Sequence, residues 1–227
     1  FGTTKKKKTW LPFFASGEMR GALALTEPNC GTDLKAIKTV AKRDGDDYVI
    51  NGSKAWITNS LHGSCFAMLV KTDPTAQPSH KGMSLFIAPK GEGFVMGSKH
   101  KKLGYKGVDT AEFFLDDHRL PADHLIGLEE GHGLQHALGA LALGRINVAS
   151  RGIGVASAAL QDSIEYSQQR KTFGKPICQH QSIQIYLADM ATRVEAARLL
   201  VQSAAKAFDR GERCDMEAGM AKLFATE

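Results

Sequence analysis

The chain has 227 residues, 43% hydrophobic and 23% charged, which suits one large globular domain or two small ones with ample length for a core. Four of its five net positive charges come from the run Lys5–Lys8, so no broad cationic face remains and no nucleic-acid partner is expected. Cys30, Cys65, Cys178 and Cys214 lie far apart with no CxxC pair, which argues against a disulfide scaffold or a thiolate zinc site and fits a reducing compartment.

The first residues, FGTTKKKKTWLPFF, do not read as a secretory signal. They lack an initiator Met and enter mid-pattern, so the chain is expected to be truncated at its front. The lysine run reads as a solvated helix end. From there to about residue 128, short alternating apolar segments separated by turn residues form a β pattern. Gly21–Thr26 is a strand that stops at Glu27-Pro28. Ile37–Arg43 and Tyr48–Asn51 flank an Asp-Gly turn and predict a hairpin. Further strands are expected at Lys54–Thr58, Cys65–Thr72, Met83–Ala88, Phe94–Ser98 and Ala111–Leu115, with Asp73–Lys81 as a loop. Strands this dense predict an antiparallel sandwich or barrel.

After Gly131 the period becomes helical: Leu134, Leu138, Leu141 and Arg145 recur at three and four, and the pattern continues past Ile164. Gln181–Arg210 is a second long helix, and Glu212–Glu227 opens a third that stops without a terminator. Two long helices and a stub cannot close a four-helix core, so the antiparallel bundle is expected to be incomplete. No apolar run reaches the roughly 18 residues of a membrane span. The eight histidines are read as including no HxxxH pair and no HExxH motif, and no metal site is assigned.

Gly152-Ile153-Gly154 hints at a dinucleotide loop, but no strand precedes it, and close helix packing is the better reading. Three other stretches carry more. Leu25-Thr26-Glu27-Pro28-Asn29-Cys30-Gly31-Thr32-Asp33 is a strand end followed by a turn that offers hydroxyls and backbone N–H groups without charge. Asn51–Asn59 (NGSKAWITN) places Trp56 and Thr58 on one strand face. Gln169–Pro176 (QRKTFGKP), with His180-Gln181, is a polar break where Arg170, Thr172 and Gln181 could clamp an anion.

Taken in order with LGRINVASRGIG between the second and third, these motifs resemble the acyl-CoA dehydrogenase family along essentially the whole chain. The resemblance implies three parts: residues 1–20 end an N-terminal helical domain, 21–128 form a middle β domain, and 129–227 begin a C-terminal helical bundle. It implies FAD held by Leu23, Ala24, Leu25, Thr26, Gly31, Thr32, Trp56, Ile57 and Thr58. Arg170, Thr172, Phe173 and Gln181 are implied to reach the FAD of a neighbouring subunit, hence a dimer or tetramer. Thr32 and Arg145 are implied substrate contacts. The implied reaction converts an acyl-CoA to its trans-2-enoyl-CoA in fatty-acid or branched-chain amino-acid catabolism, with electrons passing to an electron-transfer flavoprotein. Alternatives are an acyl-CoA oxidase or flavin monooxygenase of the same architecture, or a catalytically silent fragment. Gly144 stands where a minority of members place the catalytic base, so the glutamate base is expected beyond Glu227, and the 227 residues alone are expected to be inactive. Glu165, Glu195 and Glu217 are poor substitutes. Ala142 stands where many members carry an acid that contacts CoA. The implied compartment is the bacterial cytoplasm, with the mitochondrial matrix as the alternative.

Overall fold

Thr3 opens the first helix. Its hydroxyl accepts from the backbone N–H of Lys6 at 3.3 Å, and α1 (Thr4–Ser16) then runs to Gly17, whose left-handed φ of 80° ends it. The lysine run occupies the opening turns of α1, a helix end as expected. The computed structural model describes residues 1–227, which fall into two units, 1–137 and 138–227.

In the first unit, seven strands make one sheet: β1 (Gly21–Ala24), β2 (Val40–Asp44), β3 (Asp47–Thr58), β4 (Cys65–Lys71), β5 (Met83–Pro89), β6 (Phe94–Lys99) and β7 (Thr110–Pro121). Every strand expected from the alternation is present, and β3 joins two of them into one 12-residue strand. Asp44 pairs with Asp47 across a two-residue Gly45-Asp46 turn with φ of 62° at Gly45, so the expected hairpin forms. The spatial order is β1-β4-β2-β3-β7-β6, with β5 along the other edge of β4. Most pairings are antiparallel, but β1 and β2 each meet β4 in parallel. The chain between β1 and β4 contains the whole β2–β3 hairpin, the long crossover that a parallel pairing needs.

The sheet core is aromatic. Phe113 is fully buried, with ring centroids 4.4 Å from Phe94 and 5.3 Å from Phe66, and Tyr48 lies 4.8 Å from Phe86. β4 (CFAMLVK) is almost wholly buried on both faces, which explains its unbroken apolar run.

The second unit holds most of α2 (Gly133–Gln169), then α3 (Gln181–Asp209) and α4 (Asp215–Thr226). Their small apolar residues, among them Ala149, Ala204, Ala218 and Ala221, are fully buried in one cluster. A Cβ on Gly152 would stand 2.3 Å from the Ala225 carbonyl oxygen, so α2 and α4 meet where only glycine fits. The small residues there serve packing, as the sequence indicates. No helix is long and apolar enough to cross a membrane.

One sequence reading needs correction. His132 and His136 do stand four residues apart, with ring centroids at 6.2 Å. His136 also stacks on Phe1 at 4.6 Å, so the spacing serves packing, and no group of three His, Cys, Asp or Glu converges to hold a metal ion.

Candidate functional site

The turn after β1 is held from beneath. β1 stops two residues short of the expected Thr26 because the next two carbonyls are taken elsewhere: Lys54 Nζ donates to Leu25 O at 3.1 Å, and Ala55 N to Thr26 O at 3.0 Å. Glu27 and Cys30 then exchange backbone hydrogen bonds of 2.9 and 3.1 Å around Pro28-Asn29, and Gly31 and Thr32 follow on the surface. Leu23 is half-buried, while the side chains of Ala24 and Leu25 are buried, so those two offer only their backbone to a ligand.

Beneath this turn the Glu27 carboxylate accepts from Lys38 N at 2.6 Å, Thr39 N at 3.0 Å and Lys54 Nζ at 2.9 Å. Both side chains are buried, Lys54 at 0% and Glu27 at 6% exposure. Burial pushes the Glu27 carboxyl up, but the Lys54 ammonium and the N–H donors more than offset it, and the group lies below its ordinary range. Burial pulls Lys54 down against the attraction of Glu27. One shift favours the ion pair and the other a neutral amine. The two backbone N–H groups aimed at Glu27 decide for the carboxylate, which in turn retains the ammonium.

The second element is the end of β3. Lys54 pairs with Phe113 and Ile57 with Ala111, so β3 spends three residues where β7 spends two, and a bulge results. Trp56 sits in it with φ of 59°, a left-handed conformation that costs a bulky residue about 1–3 kcal/mol. Lys54 is inward with Tyr48 and Ile50; past it the bulge puts Ala55 and Ile57 inward and leaves Trp56 (61% exposed) and Thr58 together on the outer face, the pairing that alternation predicts. The Ile57 side chain is buried in the core, so it too has only backbone to offer. One face of the Trp56 indole stacks on His100, with centroids 3.9 Å apart and planes 17° from parallel. Hydrogen bonds from Ala55 and Lys54 bring the Trp56 segment beside the Thr26 turn, so these two sequence motifs lie side by side.

A second cluster lies in the helical unit. The Arg170–Pro176 segment, expected as a loop, is a tight hairpin of β8 (Lys171–Thr172) and β9 (Lys175–Pro176). Phe173 and Gly174 form its two-residue turn with φ of 50° and 79°, and Phe173 is 95% exposed. Thr172 Oγ1 lies 3.0 Å from His180 Nε2, next to Gln181 at the start of α3. Arg170 and Gln181 are exposed at this end of the unit. Arg145 is half-buried on α2, after a Gly144 that has open space around it. Glu165 and Glu195 are exposed on helices and engaged by Gln161 and Arg198.

Sequence reasoning missed the Glu27–Lys54 pair and the Trp56–His100 stack. Lys54 points inward in step with Tyr48 and Ile50, and the bulge that follows it turns Trp56 and Thr58 to the opposite face. His100 lies 44 positions from Trp56, and nothing in the sequence links the two rings.

Comparison with known proteins adds to this. Residues 22–118 match the family described as "Acyl-CoA dehydrogenase, middle domain", and residues 131–227 match "Acyl-CoA dehydrogenase, C-terminal domain". An acyl-CoA dehydrogenase of Bacillus subtilis is 42% identical over the whole chain, which covers 59% of that protein. The mitochondrial short-chain specific acyl-CoA dehydrogenase of Rattus norvegicus is 40% identical, with 55% of it covered. The structure of butyryl-CoA dehydrogenase from Megasphaera elsdenii superposes with a TM-score of 0.94 at 40% identity, over 99% of this chain and 58% of that one. The chain thus spans little more than half the length of these relatives.

Proposed function

This chain belongs to the acyl-CoA dehydrogenase family, and from that premise we propose that the whole protein removes hydrogen across the α,β bond of an acyl-CoA thioester, giving the trans-2-enoyl-CoA. The observation that carries this reading is the junction of the Thr26–Thr32 turn with an outward-facing Trp56 and Thr58. A flat, largely uncharged ring with a polar edge fits an open indole face beside hydroxyl and amide groups, and the isoalloxazine of FAD is such a ring. When bound, FAD supplies the hydride-accepting centre of the reaction.

The chain's own residues then have these tasks. Trp56 walls one side of the ring and keeps water from it, and the Thr58 hydroxyl donates to its polar edge. The backbone of Leu23, Ala24, Leu25 and Thr26 lines the pyrimidine side, with the Ile57 backbone beside Trp56. Gly31 and Thr32 meet the pyrophosphate, Thr32 also stands near the acyl-CoA, and Arg145 serves the CoA end. Arg170, Thr172, Phe173 and Gln181 reach the FAD of a second copy, and electrons leave to an electron-transfer flavoprotein. Removal of the α-proton calls for a carboxylate of raised pKa. Glu27 is held below its ordinary range by its ion pair, so it is unsuited, and we assign the base to sequence outside these 227 residues.

Anaerobic titration of the whole protein with acyl-CoAs of graded length and branching tests this. The flavin absorbance is expected to bleach with at least one of them, and these 227 residues alone are expected to give no turnover. Failure to bleach with any acyl-CoA would sink the dehydrogenase reading.

A further inference from the structure

We infer that His100 is a positioning residue for Trp56: its imidazole is the plate against which the indole is held, so that the opposite indole face stays presented to a flat ligand. The inference rests on the reading above only for the identity of that ligand.

The geometry begins in β7. Ala111–Phe113 is flanked by two bulges, one in each neighbouring strand. On one side β3 spends Lys54–Ile57 against it, and on the other β6 spends Met96–Lys99 against the same residues, each with one residue to spare. Bulges re-aim side chains. Here β3 and β6 are separated by β7, yet the rings of Trp56 and His100 meet at 3.9 Å and 17°. The backbone beneath His100 is pinned by its N–H to Thr110 O at 2.9 Å, and Lys102 Nζ ties the next stretch to Thr110 Oγ1 at 3.1 Å. The Nε2 of His100 is buried and makes no hydrogen bond, so no bond from that nitrogen orients the imidazole that stacks on Trp56. A ring that merely filled the sheet edge would affect stability; one that holds Trp56 affects the orientation of the indole.

The test separates these roles. The chain has two tryptophans, so Trp10→Phe, which keeps an aromatic edge toward His124, makes Trp56 the sole reporter. In that background, His100→Ala is expected to collapse the near-ultraviolet dichroism of Trp56 and lower its fluorescence anisotropy. The far-ultraviolet spectrum and melting midpoint should stay close to the parent, and His100→Phe should restore the signal. In the whole protein, His100→Ala is expected to weaken FAD binding about 2–10-fold, the usual worth of one aromatic contact. An unchanged Trp56 signal in His100→Ala, no rescue by His100→Phe, or a melting midpoint that falls in step with the signal would each overturn the inference. If the Trp56 signal behaves as expected while the parent binds no FAD, the flavin reading fails and the positioning role stands.

Discussion

Glu27→Leu is expected to destabilise the first unit by about 3–5 kcal/mol, because it strands the Lys54 ammonium in a fully buried position without its partner. Urea unfolding followed by tryptophan fluorescence would measure it as a lower midpoint at unchanged slope. The double variant Glu27→Leu/Lys54→Met removes both charges and should recover most of the loss, since apolar replacement of a buried pair is often neutral. A single-variant loss below about 1 kcal/mol, the scale of an exposed pair, would mean that the ion pair does not hold the turn. The same group sets an acid limit. The Glu27 carboxyl lies below its ordinary 4.5 in the folded chain, so its contribution is complete above that value and is lost as pH falls through the folded value. Glu27→Gln should therefore flatten the acid limb of the stability profile.

Phe113→Ala should cost the same unit about 3–5 kcal/mol, the usual range for truncating a buried aromatic ring. Its ring is fully buried against Phe94 and Phe66, and its backbone pairs with Lys54 and Met96 where both bulges begin. The loss should therefore appear twice, as a lower urea midpoint and as a weakened Trp56 near-ultraviolet signal under native conditions. Phe113→Leu keeps much of the volume and should restore the larger part of both. A midpoint within about 1 kcal/mol of the parent would show that the sheet closes over the gap.

The contrast between these residues shows what the sequence could reveal. Phe113 lies in an alternating run and β4 in an unbroken apolar one, so their burial follows from period alone. Asp44–Asp47 contains its own turn chemistry, and the hairpin follows from it. The helices were equally legible, because spacings of three and four repeat over many turns. Trp56 and Thr58 could be placed on one face by parity. That Lys54 faces the other way, inward with Tyr48 and Ile50, could not be seen, because the one-residue bulge after it reverses parity and leaves no mark in composition. The β8–β9 hairpin was hidden for a related reason: its turn puts Phe173, not the usual Asn or Asp, at φ of 50°, and its polar residues read as solvated coil. His100 depends on two bulges at once, so only the folded sheet could reveal it.

Dissolved salt acts on the opening of α1 in the reverse sense to most surface ionic contacts. Lys5–Lys8 gather four ammonium groups at the positive end of a helix dipole, and no acidic residue occupies that turn. Lys5 and Asp123 face each other at 3.9 Å across largely exposed ground, a weak counterweight. Moving from dilute buffer to physiological ionic strength contracts the reach of these charges to about 8 Å. Their mutual repulsion then relaxes, and the first turn frays less in brine than in near-pure water. The contacts of Arg119 with Asp44 and Asp47 loosen under the same change, so ionic strength shifts order from the rim of the sheet to the front of the helix.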